Sequence, residues 1–198
     1  MTTNLSETHN GIQTNWKVDP LHSELFFKIK YLTISVVTGF VQVFDLNVQT
    51  TGNDFGEVTE LQLTADMTTL MTNHGPRDEH LKSSDFFDVD NYRYLQFRST
   101  AFHKQGQTPP SLLAAYRRDY KLHGYLQIKD VSRPIVLDGG FGGLVTDPDG
   151  HRCAGFTVKT KISRKEFGLG WGGITAAGKL ILADEVDIFG NIQLIKQV

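Results

Sequence analysis

At 198 residues with 39% hydrophobic content, the chain is long enough for one sizeable core, and a formal net charge of -2 lacks the basic excess of nucleic-acid binders and electrostatic membrane anchors. A single cysteine, Cys153, excludes an intrachain disulfide. No stretch approaches the ~20 apolar residues of a membrane-spanning helix, so integral membrane anchoring is not expected.

Residues 1–10 carry neither a basic region nor an apolar run. The reading therefore expects no secretory signal and a cytoplasmic location. Residues 1–15 read as a flexible tail before one domain over 16–198.

Strand signals then dominate. Ser23, Leu25, Phe27, Ile29 and Tyr31 alternate with Glu24, Phe26, Lys28 and Lys30, a period of two with one apolar face. Phe26 interrupts the polar side. Val37, Gly39 and Val41 form a second set, and Phe44, Leu46 and Val48 follow out of phase, as a β-bulge would produce. Leu61, Leu63, Ala65 and Met67 make a third. Residues 77–86 are expected to hold a short helix, with Asp78 placed to cap it and Glu79 in its first turn. Leu95, Phe97 and Ser99 lie in another strand. Residues 111–118 suggest a second short helix, either a lid or a surface elaboration. Tyr120, Leu122, Gly124, Leu126 and Ile128 alternate with polar neighbours. Ile135 to Leu137 form a short apolar run; Phe156, Val158, Thr160 and Ile162 alternate again. Val186, Ile188, Gly190, Ile192 and Leu194 close the chain. About eight strands punctuated by Gly- and Pro-rich turns predict an all-β barrel or sandwich. A barrel leaves no open edge.

Several motifs point elsewhere on inspection of their context. Gly168 to Gly173 match a dinucleotide-binding fingerprint, and Gly173 to Lys179 match most of a phosphate loop. Both require a following helix, whereas strand patterns flank this segment; Leu180 stands where the phosphate loop needs Ser or Thr. The glycines read as a tightly turning loop, with Trp171 placed to cover a pocket mouth. His74, Asp78 and His80 share one connection but fit no metal-ligand spacing, so neither metal nor cofactor is expected. Cys153 reads as a small buried hydrophobe rather than a nucleophile. The densest chemistry lies between Thr68 and Phe87. Arg77 offers a fork for phosphate or carboxylate, His80 a hydrogen bond to a head group, and Phe86 and Phe87 a surface for an apolar tail. Equally, Arg77 bonds a carboxylate or carbonyls and the aromatic rings plug a barrel end.

Trp16-Lys17-Val18-Asp19 with His22-Ser23 resembles the opening of the YceI-like proteins. So do Thr72 with Arg77-Asp78-x-His80-Leu81, Asp85-Phe86-Phe87-Asp88, Tyr92 with Phe97-x-Ser99, Gly124-x-Leu126, Val131-x-Arg133-Pro134, and Ile162-x-Arg164-x-x-Phe167-Gly168. The resemblance runs in the family's order from Trp16 to the C-terminus. Arg93 departs from it, where the family often has Pro. The resemblance implies an extended, antiparallel, eight-stranded lipocalin-like barrel with one or two short helices. It also implies an apolar interior for polyisoprenoids or similar lipids, and dimers in many members. Arg164 is expected to pair with Asp78 or Asp85.

The strand pattern alone fits a solid core as well as a hollow one; the resemblance favours the hollow. The expected function is binding of a polyisoprenoid, isoprenoid quinone or fatty-acid-like lipid for carriage, storage or sequestration, with no catalytic residues. The candidate ligand-binding residues are Phe27, Ile29, Val41, Leu63, Arg77, Asp78, His80, Phe86, Phe87, Phe97, Leu126, Trp171 and Ile188, with Leu25 on the same wall. One alternative is an enzyme on a lipid- or quinone-like substrate, with His80 as acid/base, Arg77 as anion clamp and Asp78 orienting His80. Another is a structural barrel with a packed core that dimerises through exposed Phe26, Phe40 and Phe189.

Overall fold

Alternation in the sequence becomes strand in the computed structural model, which describes residues 12–52, 55, 57–105, 120–176, 178 and 180–198. In chain order these are β1 (Gln13–Val18), β2 (Glu24–Tyr31), β3 (Ser35–Val41), β4 (Phe44–Thr51), β5 (Val58–Asp66) and the two-residue β6 (Leu70–Met71). One helix, α1 (Gly75–Lys82), precedes β7 (Tyr94–Lys104), β8 (Tyr120–Ile128), β9 (Val131–Thr146), β10 (Arg152–Ser163) and β11 (Leu182–Lys196). Two 3-10 turns, Met67–Thr69 and Lys165–Phe167, complete the described elements. The helix expected at 111–118 lies outside the described residues. Among those described, no helix is long and apolar enough to cross a membrane.

Neighbouring strands pair antiparallel, and β11, with β10 along one edge, is long enough to serve two partners along the other. Its stretch from Leu182 to Asn191 lies on β2, and its Leu194 to Lys196 end lies on β1. The next position is divided in the same way, with β3 on β2 and β4 on β1. These four short strands act as two bent long ones. Because β1 joins both β4 and β11, the sheet closes into an eight-stranded barrel. The phase change between Val41 and Phe44 is thus a change of pairing partner, not the expected bulge. The register shifts lie elsewhere, among them Ser99/Ala101 in β7 and Gly155/Phe156 in β10. Gln13 to Asn15, expected in the tail, are strand, paired with Thr51 to Gln49. Trp16 explains why: it is fully buried and its Nε1 donates to Thr50 Oγ1 at 3.1 Å.

One end of the barrel is packed. Trp16, Leu46, Val48, Phe55, Ala154, Ile192 and Leu194 form a cluster there, joined by Phe141 and Phe156. The Phe55 ring lies 4.7 Å from both Trp16 and Phe156. Toward the other end, Leu25, Phe27, Leu63, Val186 and Ile188 point inward yet remain only half-buried. Inward apolar chains without full cover are walls of a hollow, so the packed-core alternative does not hold.

On the outer surface Phe26 stacks on Phe189 at 5.0 Å and tilts against Phe40 at 5.8 Å. The amines of Lys28 and Lys159 stand over the Phe189 ring. These rings, expected to be exposed, are half-buried by one another.

Candidate functional site

The hollow is a cavity of about 440 Å³, within the range of small-molecule sites. Strand alternation builds its wall: Phe27 and Ile29 from β2, Val41 from β3, Leu63 from β5, Phe97 from β7, Leu126 from β8 and Ile188 from β11. Two wall rings reach over glycines of the neighbouring strand. A Cβ on Gly39 would stand closer than 3.0 Å to Cζ and Cε1 of Phe27, and one on Gly124 equally close to the Phe97 ring. The glycines leave room that the rings occupy, which keeps the lumen clear.

Polar groups gather at one end. His74, Arg77 and His80 reach the wall from α1 and its N-cap, and Arg164 and Trp171 from the segment after β10. The helix starts two residues before the expected 77 and stops at Ser83, whose N–H bonds the carbonyls of Glu79 and His80. His74, not Asp78, is its N-cap, with Nδ1 accepting from Arg77 N–H at 3.3 Å. Asp78 instead turns back to Thr72, accepting from its N–H at 2.8 Å and from its hydroxyl. Arg77 holds the same residue, donating from Nε to Thr72 Oγ1 at 2.7 Å and from Nη2 to the Thr72 carbonyl at 2.9 Å. Thr72 therefore fixes the helix to the barrel, and Asp78 braces that joint.

His80 sits between aromatic rings, 4.9 Å from Trp171 and 5.2 Å from Phe86, edge to face with both. Its Nε2 lies 3.0 Å from Asp85 Oδ2. The carboxylate beside His80 is thus Asp85, and the expected orienting role of Asp78 is corrected. Phe86 is buried and Phe87 half-buried on the wall, while Trp171 is 41% exposed.

Arg164 is the most buried charge at this end, 3% exposed. It pairs with neither Asp78 nor Asp85 as expected. Nε donates to the Ala183 carbonyl at 2.8 Å, and Nη1 to the carbonyls of Leu169 and, at 2.6 Å, Trp171. One guanidinium thereby ties the glycine-rich loop to the start of β11 and fixes where Trp171 hangs. Burial pulls its pKa below the usual arginine value, and Asp184 opposes that pull.

Every candidate residue except Asp78 lines the cavity. Sequence reasoning passed over Arg164 as a wall residue, and over the deep layer of Leu46, Leu61, Leu122, Val158 and Ile192. The alternation that placed Leu63 and Leu126 held the signal for Leu61 and Leu122, which share their faces.

The glycine-rich segment runs from β10 through a 3-10 turn toward β11, and among its described residues an Ile174–Leu180 bridge, not a helix, follows the nucleotide motifs. His74, Asp78 and His80 turn to different partners. The group of described residues that does bring three ligand-type atoms within 4.8 Å is Asp147, Asp149 and His151, on the β9–β10 connection. Asp147 is committed there to the N–H groups of Asp149 and His151. Cys153 is buried, its thiol pushed up by desolvation and by the charges of Asp147 and Asp19. Arg93, the departure from the family pattern, forks onto Asp66 Oδ2 at 3.1 and 2.7 Å.

The chain is thus a closed eight-stranded antiparallel barrel with an apolar lumen and a polar mouth. Residues 16–194 match the YceI-like domain, and the chain belongs to that family. UPF0312 protein SAB2563 of Staphylococcus aureus (strain bovine RF122 / ET3-1) is 30% identical over 176 residues, spanning 87% of this chain and 92% of the relative. Among solved structures, Burkholderia cenocepacia BcnA superposes with a TM-score of 0.72 at 20% identity, over 89% of this chain and 98% of that one. A Campylobacter jejuni YceI protein gives 0.68 at 23% identity, over 100% and 99%. A polyisoprenoid-binding domain from Saccharophagus degradans, implicated in plant cell wall breakdown, gives 0.61 at 15% identity, over 92% and 98%.

Proposed function

We propose that this protein binds a long amphiphile, a polyisoprenoid, isoprenoid quinone or fatty-acid-like lipid, with the tail in the lumen and the head at the mouth, for carriage, storage or sequestration. The observation that carries this reading is the sorting of the cavity wall. Its strand-borne residues are almost all hydrocarbon, and His74, Arg77, His80 and Arg164 collect at one end. Each CH₂ moved from water to such a wall gains ~0.8 kcal/mol, so a long tail supplies ample gross driving force, less the cost of ordering it. The domain named for polyisoprenoid binding among the structural relatives agrees with this chemistry. No catalytic step is part of the reading.

Native mass spectrometry of purified protein, followed by solvent extraction, tests it. The expected result is a stoichiometric lipid with one polar terminus. Protein that is recovered empty and takes up neither a prenyl alcohol nor a fatty acid overturns it.

A second reading, turnover of a lipid- or quinone-like substrate, draws on the 3.0 Å contact between His80 and Asp85 at the mouth. It requires chemical change of the extracted lipid on incubation, lost in His80→Phe. Dimerisation through the Phe26, Phe40 and Phe189 face, raised with the structural-barrel alternative, is a separate proposal; a fall in solution mass for Phe26→Asp checks it.

A further inference from the structure

A smaller hollow of about 60 Å³ lies beyond the cavity, against the packed end. Its wall is apolar, with Val48, Phe55, Val58, Phe102, Phe156 and Leu194 on the far side. Five residues line both spaces: Leu46, Leu61, Leu122, Val158 and Ile192. They come from β4, β5, β8, β10 and β11, so the layer that separates the two spaces crosses the barrel from wall to wall.

Every member of this layer is aliphatic. None is held by a hydrogen bond from its side chain, and each can change rotamer without exposing a polar group. The small hollow is dry chemistry, too apolar to hold water well. Left empty, it forfeits dispersion contacts along its whole lining, and a hydrocarbon tip entering it regains them.

We propose that this belt sets the length of tail the protein accepts, closing off a hollow that would otherwise take the tail's last carbons. The proposal rests on the lipid-binding reading and adds the residues that decide among lipids. Leu122 is the most direct control. It is 6% exposed, is the third residue of β8 and belongs to both walls. Trimming it joins the two spaces.

The test is affinity across a homologous series of all-trans prenyl alcohols, read by displacement of an apolar fluorescent dye, for wild type, Leu122→Ala and Leu122→Ala/Val58→Phe. In wild type, affinity rises with each isoprene unit until the tail meets the belt, then changes by less than about twofold per unit. In Leu122→Ala the rise continues for one unit more, by at least about tenfold, since even two newly buried CH₂ groups at ~0.8 kcal/mol each exceed that factor. Val58→Phe fills the hollow from its far side and removes the gain while leaving the trimmed belt in place. A general loosening of the barrel does not produce that reversal. Binding with an unchanged length cut-off in Leu122→Ala overturns the belt and leaves the lipid-binding reading intact. Failure of wild type to bind any member of the series overturns the belt, and failure to bind a fatty acid as well overturns the lipid-binding reading too. If Leu122→Ala does not fold, Val158→Ala opens the same layer and is held to the same outcomes.

Discussion

The contact between Gly39 and the Phe27 ring supports a prediction that separates lumen volume from stability. In Gly39→Ala the new methyl arrives inside the space of Phe27 Cζ and Cε1, with Thr72 Cγ2 at 3.0 Å on another side. No backbone atom is among the nearest contacts, so the strand need not move; the ring does, and the open side is the cavity. Overpacking of this kind costs ~1–3 kcal/mol. Replacing a strand-interior glycine returns ~0.5–1 kcal/mol of that. The ligand-free melting temperature should therefore fall by only a few degrees, at ~2–4 °C per kcal/mol for a chain of this size. Binding suffers more. A ring swung into a 440 Å³ space displaces about two methylenes of tail, ~1.6 kcal/mol, or roughly fifteenfold in affinity. Dye displacement by a prenyl alcohol measures this, and Gly39→Ala/Phe27→Leu should recover most of it by removing the ring. Unchanged affinity in Gly39→Ala, or no recovery in the double variant, refutes the idea that the glycine holds the lumen open.

Arg164→Met leaves the carbonyls of Ala183, Leu169 and Trp171 without their buried donor. A loss of ~1–3 kcal/mol for each buried carbonyl left without a donor is expected, seen as a drop of several degrees in melting temperature together with a red shift of tryptophan emission as Trp171 leaves the mouth. Asp66 is held below the ordinary carboxylate pKa chiefly by the Arg93 fork and then by Thr68. Its folded pKa is depressed, so its contribution is present above the unfolded carboxylate value near ~3.9 and is lost as pH falls through the folded one. Asp66→Asn should accordingly destabilise at neutral pH and flatten the loss of stability on acidification; equal acid sensitivity in both proteins counts against this. Cys153, buried and pushed toward the thiol form, should resist an aromatic disulfide reagent in the native protein and react at once in denaturant.

Period-two alternation made the barrel legible residue by residue, from Leu25, Phe27 and Ile29 to Val186, Ile188 and Ile192, because a closed sheet has one inside and one outside. It did not reveal which residues end one strand and begin another in place. Val41 and Phe44 differ in phase for the same local reason whether the chain bulges or changes partner, and only the pairing of β4 with β1 distinguishes them. The mouth was legible as a set of residues but not as a set of bonds. Asp78 and Asp85 are equally plausible neighbours of His80 along the chain. The early start of α1 at Gly75 turns Asp78 toward Thr72, and the turn after Ser83 carries Asp85 to the imidazole. Arg164 gave no hint of its carbonyl partners, since backbone acceptors leave no trace in side-chain identity. Hollowness was beyond alternation altogether, as the same apolar faces fill a solid barrel. It came from resemblance first, and then from inward residues that remain half-buried.

The packed end around Trp16, Phe55 and Phe156 makes the lumen a blind passage. On the lipid-binding proposal, a guest would enter tail first and depart head first, by the same door. Release would then be governed where Trp171, Phe86 and His80 meet. On that proposal only the head would be offered at the mouth, and withdrawal would draw the guest out backwards past an indole whose carbonyl a single buried guanidinium holds.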